Sequence, residues 1–121
     1  MFDRGNKEFI VDMFLSCRKI VEYTRGLSFD EFVKDDKTLD AVVRNLEILG
    51  EAVKNLTDDF RKKYSEVEWS LIAKTRDKLI HYYFGIDNET LWKIVKSDIP
   101  DLLDKLRNII QAEGWEGEIE D

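Results

Sequence analysis

Four long stretches of the chain carry apolar residues at the spacing of about 3.6 residues that is typical of α-helices, and none shows the strict alternation of a half-buried strand. The first extends from about Asn6 to Tyr23, and we predict that Gly26 ends it. Ser28 and Glu31 have the spacing of a capping box, which predicts a short helical turn after that glycine. The apolar side of the first stretch consists of Phe9, Ile10, Met13, Phe14, Cys17, Ile20 and Val21.

The second stretch begins near Asp36 and is interrupted by Gly50. A glycine inside a helix costs about 1 kcal/mol relative to alanine, so its presence predicts that another backbone or a ligand comes close at that point. Thr57 is then expected to cap a short helix that runs through Lys62 and ends before Ser65. The apolar residues of the second stretch are Leu39, Val42, Val43, Leu46, Leu49, Val53 and Leu56.

The third stretch begins around Glu68 and runs to Tyr83 or Phe84, and Gly85 is its expected stop. At about 100° per residue, Arg76 falls in the middle of the sector that the apolar residues occupy. Because an unpaired buried charge is costly, this guanidinium must reach an acidic partner, extend to solvent or face an anionic ligand. The apolar residues of the sector are Trp69, Ile72, Leu79, Ile80 and Tyr83.

The fourth stretch runs from about Asn88 to Gln111, and Asp87 is its expected cap. Pro100 lies inside it, which predicts a kink or a break near Lys96–Ile99, because proline removes a helical hydrogen bond. The acidic tail from about residue 113 contains glycine and is expected to fray. The residues of this stretch that we expect to face inward are Leu91, Val95, Ile99, Leu102, Leu106 and Ile109.

Together these stretches predict an all-α fold, an up-down bundle of four long helices plus one or two short helices. The 121 residues suit a single domain over residues 1–121, and 43% hydrophobic residues suffice for a core. The opening residues are polar and no apolar run approaches the roughly 18 residues of a membrane span, so we expect no membrane attachment. Cys17 is the single cysteine, which excludes an intrachain disulfide and favours the reducing cytoplasm.

The net charge of −7 argues against a protein that coats nucleic acid, because neutralising phosphates requires clustered basic residues. Any chemistry on nucleic acid must therefore be local, or must use a site assembled from more than one chain. One histidine and one cysteine cannot supply the usual zinc sites or the paired Glu-x-x-His motifs of a four-helix di-metal site. We therefore predict no metal site and no cofactor. Counting does not exclude a pair formed by Cys17 and His81, although Cys17 lies on the apolar side of the first helix.

A second face of the third stretch groups Ser70, Lys74, Asp77 and His81. Asp77 lies one helical turn before His81, so its carboxylate can hydrogen-bond one ring nitrogen and orient the other. Arg76 and His81 are about 140° apart around an ideal helix and do not face one another. Either the arginine side chain bends round, or the helix distorts, or the two groups meet across a two-fold axis between two chains.

The segment Arg76–Tyr83 resembles the R-x4-H-x-Y signature of the HepT-like toxins, within the HEPN superfamily of small helical ribonucleases. Arg44–Ala52 is similar to the RNxxxxGEA segment that this family carries on an earlier helix. The segments on either side of the motif also resemble the family pattern, and the resemblance spans about residues 36–107. Asp77 stands where the superfamily often has asparagine.

The resemblance implies a homodimer in which the motifs of both chains line one cleft, and it implies metal-independent cleavage of RNA. A ribose 2′-OH would attack the adjacent phosphate and leave a 2′,3′-cyclic phosphate end. His81 suits the proton transfer at neutral pH, and Arg76 offers planar donors to the phosphate oxygens. Asp77 would orient His81 or hold Arg76. Lys74 is expected to add positive charge to the cleft, and Glu51 is a supporting residue that can pair with Arg76.

The resemblance also implies a partner, because HepT-like toxins are usually paired with a minimal nucleotidyltransferase antitoxin that transfers AMP to the tyrosine of the motif. Tyr83 holds that position, and Tyr82 beside it is the alternative acceptor. AMP there would place a bulky anion next to Arg76 and His81 and would block the binding of phosphate. Such a modification needs Tyr83 to be reachable, which a position in a dimer cleft at the helix end would allow.

Three functions remain open from the sequence. The first is a toxin ribonuclease with Arg76 and His81 as catalytic residues. The second is a non-catalytic module that docks a nucleotidyltransferase and helps it hold a nucleotide or a substrate. The third is a structural dimeric bundle, in which Arg76 is paired with a residue such as Glu51 and is inaccessible.

Overall fold

The structure is a computed structural model that describes residues 5–81 and 87–120, with only the backbone at residues 80 and 81. The described residues are mainly helical and contain no strand, and the helices are α1 (Asn6–Thr24), α2 (Phe29–Lys34), α3 (Asp36–Asn55), α4 (Asp58–Lys63), α5 (Trp69–His81), α6 (Asn88–Lys93) and α7 (Ile99–Glu113). A π-helical turn (Ile94–Asp98) joins α6 to α7, and a 3₁₀ turn (Glu116–Glu118) follows α7. The predicted all-α bundle is therefore confirmed, and the predicted end of the third helix at Tyr83 or Phe84 lies outside the described residues.

Helix α3 is central to the packing, because it contacts α1 on one side and α5 on the other, while α1 also contacts α7. Each helix turns one apolar stripe toward a common core, and burial of these side chains is the main force that holds the bundle together. Among the largest fully buried side chains are Ile10, Met13, Phe14, Ile20, Phe32, Leu49, Leu106 and Ile109. The inward-facing residues predicted on the fourth stretch are all buried.

Polar side chains cap the first turns of the helices α2 and α6, as the sequence predicted. The Ser28 hydroxyl accepts from the Glu31 amide at 3.1 Å, and the Ser28 amide donates to the Glu31 carboxylate at 2.9 Å, which confirms the capping box. Asp87 accepts from the amide of Thr90 at 2.7 Å and caps α6 as predicted. These local caps satisfy backbone N–H groups that the first helical turn leaves without partners.

The predicted break in the fourth stretch is a π-helical turn at Ile94–Asp98. Pro100 lies in the first turn of α7, where it has no N–H to donate and where its ring excludes the carbonyl four residues earlier from a helical hydrogen bond. The wider π-helical turn before it accommodates the missing hydrogen bond, so the chain continues directly into α7.

The tail after α7 makes several contacts with the bundle, and its fraying stays a prediction. Gly114 adopts a φ of +78° and ends α7, and the Trp115 amide then donates to the carbonyl of Ile110 at 2.9 Å. The Trp115 ring stacks on Phe60 with 6.0 Å between ring centroids, and Lys7 pairs with Glu118 at 2.9 Å. Tail residues thus contact α4 and α1, and the Trp115 indole contributes apolar area to this contact.

Within the described parts of the chain, none of the helices combines the length and the apolar character that crossing a bilayer requires.

Candidate functional site

The site begins at the crossing of α3 and α5, where Gly50 meets Arg76. A Cβ atom placed on Gly50 would lie 2.0 Å from Cβ of Arg76 and 2.6 Å from its Cγ, so no larger residue fits there without moving a helix. The sequence predicted that a backbone or a ligand approaches Gly50, whereas the nearest group is the stem of the Arg76 side chain, and the Ile72 backbone oxygen follows at 3.3 Å from the added Cβ. Glycine therefore lets the stem of a cationic side chain lie at the crossing of the two helices.

The guanidinium of Arg76 is held from both sides by carboxylates. Its Nη2 lies 3.0 Å from the Glu51 carboxylate on α3, and its Nη1 lies 3.4 Å from the Asp77 carboxylate on α5. The Nε–H is buried and has no hydrogen-bond partner within the described residues. The Arg76 side chain remains 25% exposed, so it is paired but is not sealed inside the bundle.

Asp77 has a second partner that the sequence analysis missed. The Lys54 ammonium on α3 donates to the Asp77 carboxylate at 2.7 Å, and this hydrogen bond is the largest cause that lowers the pKa of Asp77. Lys54 lies one helical turn after Gly50, on the part of α3 that meets α5, so the glycine was the signal that could have identified it. The four side chains of Glu51, Arg76, Asp77 and Lys54 form a row of alternating charge across the two helices, which we call the Arg76 network.

Replacing Lys54 with methionine is expected to raise the pKa of Asp77 toward its usual value, because the donor that stabilises the carboxylate is lost. The folded-state pKa of Asp77 lies below the unfolded value, so this pair stabilises the fold above the unfolded pKa. That contribution is lost as the pH falls through the folded pKa. An NMR titration of the Asp77 carboxyl carbon measures the change.

Lys62→Met is the matched control, because Lys62 is an exposed lysine of the neighbouring helix α4 that does not contact Asp77. The prediction is wrong if both variants leave the titration of Asp77 where it is in the unaltered chain.

Arg76 lies in the wall of an open groove between α1, α3 and α5, which we call the Arg76 groove. The groove brings a second guanidinium, that of Arg44, to the same concave surface. Its lining residues are Phe9, Asp12, Arg44, Glu47, Ile48, Glu51, Ala52 and Arg76. A separate and more apolar cavity lies between α3, α5 and α7, and the candidate site residues whose side chains the structure describes do not line it.

The other predicted site residues lie at different places. His81 is the last residue of α5, and Tyr82 and Tyr83 lie outside the described residues. Lys74 is exposed and lines a concavity with Arg61 and Lys62 of α4, so one chain does not bring it to the Arg76 groove. The contribution of Lys74 to a positive cleft shared by two chains therefore remains a prediction.

Cys17 is completely buried in the core, and burial raises the pKa of its thiol far above the usual value. Because the thiolate is the reactive form, this environment disfavours Cys17 as a nucleophile. Its burial on α1 agrees with the structural role that its place on the apolar side of that helix indicates.

Comparison with known families connects this geometry to a class of enzyme. The sequence model of the family described as "Ribonuclease HepT-like" matches residues 13–109, which include α3 and α5 and all four members of the Arg76 network. The chain belongs to this family. The resemblance stated from the sequence is thereby confirmed, and the HepT-like chain is placed among ribonucleases.

Individual relatives agree with the family. The protein named "Probable ribonuclease HepT" of Thermococcus cleftensis is 45% identical over 106 residues, which cover 88% of this chain and 96% of the relative. A protein of Methanocaldococcus jannaschii that carries the name "Putative RNase" is 46% identical over 105 residues, covering 87% of each chain. Another of that name, from Caldanaerobacter subterraneus, is 43% identical over 107 residues, covering 88% of this chain and 96% of the relative. No solved structure matches the HepT-like chain.

Proposed function

We propose that this chain is the toxin of a toxin–antitoxin pair, a homodimeric endoribonuclease that needs no metal ion. The proposal rests on the position and the exposure of the Arg76 side chain. Its guanidinium is fixed by the crossing of two helices and still has a quarter of its side chain exposed beside an open groove. Membership of the HepT-like ribonuclease family supports RNA as the substrate.

The proposed reaction is transfer of the RNA phosphate to the neighbouring ribose oxygen. The 2′ oxygen forms a bond to phosphorus while the bond from phosphorus to the 5′ oxygen breaks. His81 accepts the proton of the 2′-OH, and the leaving 5′ oxygen takes up a proton from water or from the second histidine of the dimer. The products are a 2′,3′-cyclic phosphate and a free 5′-OH. Arg76 donates to the two non-bridging oxygens, whose negative charge increases in the transition state.

Glu51 and Asp77 have a defined part in this proposal. Each carboxylate offers the Arg76 guanidinium an acceptor in the absence of RNA, which lowers the cost of holding a cation at a helix contact. A phosphate that enters the groove then competes with Glu51 for the same planar donors. A purely structural role predicts a paired and inaccessible Arg76, and its exposed fraction favours the catalytic role instead.

The proposed antitoxin is a minimal nucleotidyltransferase that attaches AMP to Tyr83. In this reaction the tyrosine oxygen forms a bond to the α-phosphorus of ATP, pyrophosphate leaves, and the phenol loses its proton. Tyr83 follows His81 by two residues, so the added phosphate lies near the proposed catalytic pair. The new anion would pair with Arg76 in place of the substrate phosphate and would stop cleavage.

The experiment that tests the proposal uses the purified chain with a single-stranded RNA oligonucleotide in excess EDTA. We expect cleavage products with a 2′,3′-cyclic phosphate and a 5′-OH, identified by mass spectrometry. The same RNA carrying 2′-O-methyl groups is the control and should stay intact, because it lacks the attacking hydroxyl. The proposal is wrong if no cleavage occurs at any protein concentration, or if the products carry 5′-phosphates.

A further inference from the structure

The Arg76 groove extends along α3 beyond the proposed catalytic arginine. Arg44 and Glu51 both line it and are separated by seven residues, which places them on the same line of the helix surface. At about 1.5 Å per residue, the backbone positions of Arg44 and Glu51 lie about 10 Å apart along the helix axis, and Glu51 pairs with Arg76. The groove thus contains a second cation, and its separation from Arg76 is comparable to the length of a few nucleotides in an RNA strand.

Arg44 also differs from the other arginines near carboxylates. Arg61 pairs with Asp58, and Arg107 pairs with Asp104 at 3.6 Å. Arg44 is exposed and makes no ion pair with any residue that the structure describes, although Glu47 lines the same groove. Its guanidinium donors are therefore available to a ligand without first breaking a contact.

We infer that Arg44 binds a backbone phosphate of the RNA at a position that flanks the bond cleaved beside Arg76. In a stacked strand the phosphates follow one another at about 3.4 Å along the axis, so about 10 Å corresponds to roughly three phosphate steps. The inference rests on the proposed function. It makes the preferred substrate a single strand that extends along α3 for several nucleotides on one side of the cleaved bond.

The charge of the groove shows how such binding has to work. Among the lining residues that the structure describes, there are two guanidinium groups, those of Arg44 and Arg76, and three carboxylates, those of Asp12, Glu47 and Glu51, which gives these residues a formal charge of −1. The described side chains together therefore do not attract a polyanion, and the affinity that they provide has to come from directed contacts of the two arginines with phosphates. Loss of either arginine should consequently have a measurable effect on RNA binding.

The test measures binding of a fluorescent single-stranded 2′-O-methyl RNA of about ten nucleotides by anisotropy at several salt concentrations. Arg44→Gln is expected to raise Kd about tenfold, as the loss of a charged hydrogen bond does. It should also reduce the slope of log Kd against log salt by about 0.7, which is the value for one phosphate contact of a single strand. The control is Arg25→Gln, an equal change of charge at an exposed arginine that does not line the groove.

Arg25→Gln is expected to change Kd by less than about twofold, since a distant exposed charge is screened at these salt concentrations. The inference is overturned if the two variants bind alike. In cleavage assays on unmodified RNA, Arg44→Gln should raise KM and leave kcat unchanged, and a loss confined to kcat would also contradict a flanking contact.

The two proposals can fail separately. If the unaltered chain binds the 2′-O-methyl RNA through Arg44 but never cleaves unmodified RNA, the proposed ribonuclease chemistry is wrong and the phosphate contact stands. If the unaltered chain cleaves RNA and Arg44→Gln matches Arg25→Gln in both assays, the ribonuclease stands and the phosphate contact is wrong.

Discussion

Replacing Arg76 or His81 with alanine is expected to lower kcat/KM for RNA cleavage by about 100- to 1,000-fold. The Arg76→Ala variant would lose the donors that stabilise the charge of the transition state, and losing such donors has an effect of this size in other enzymes. The His81→Ala variant would lose the proton acceptor, and removing a general base usually lowers the rate by about 100- to 10,000-fold. Because both changes act in the transition state, kcat should fall in both variants, and KM should rise only for Arg76→Ala, which also loses a phosphate contact in the groove. Single-turnover cleavage of a labelled RNA in EDTA measures both values.

Arg76 also packs against Gly50, so an inactive alanine variant needs a partner variant that preserves this contact. Arg76→Lys retains an aliphatic stem and a positive charge but lacks the planar pair of donors. We expect it to fold like the unaltered chain and to remain at least about tenfold slower. Arg25→Ala should cleave at the unaltered rate. The catalytic role of Arg76 is wrong if Arg76→Lys and Arg76→Ala both match Arg25→Ala.

The parts of the fold that were predicted correctly depend on residues within one helical turn of each other. The capping box of Ser28 and Glu31, the cap at Asp87 and the distortion before Pro100 are all of this kind. Each follows from a side chain that completes or removes a backbone hydrogen bond next to it. The contact of Trp115 with Phe60 was not foreseen, because it joins residues far apart in the sequence.

At the candidate site, the sequence likewise identified individual residues but not the contacts between residues of different helices. The sequence marks Arg76 as a cation on an apolar face and Gly50 as a point of close approach, but it does not say that one meets the other. Lys54 was missed because its bond to Asp77 exists only once α3 crosses α5 at a particular register. Lys74 shares a helix with Arg76 and yet lines a different concavity, because positions two residues apart point in different directions.

The crossing at Gly50 provides a test of how stability and the site are connected. Gly50→Ala should destabilise the fold by about 2–3 kcal/mol, although alanine is by itself the better helix former by about 1 kcal/mol. The added methyl group would lie 2.0 Å from Cβ of Arg76, so α3 and α5 would have to separate. We expect the thermal midpoint to fall by roughly 10 °C, measured by circular dichroism at one fixed protein concentration. Gly117→Ala is the control, since a Cβ there meets no atom within 4 Å.

A second substitution at Arg76 distinguishes a steric clash from other causes. Arg76→Ala keeps the Cβ atom and should not rescue Gly50→Ala, whereas Arg76→Gly removes the atom and should rescue it. In a double-mutant cycle, Gly50→Ala with Arg76→Gly is expected to show a favourable coupling free energy of about 2 kcal/mol. The packing account is wrong if alanine and glycine at Arg76 restore the thermal midpoint equally. If only Arg76→Gly rescues the Gly50→Ala variant, the absence of a side chain at Gly50 is what allows α5 to place Arg76 at this contact.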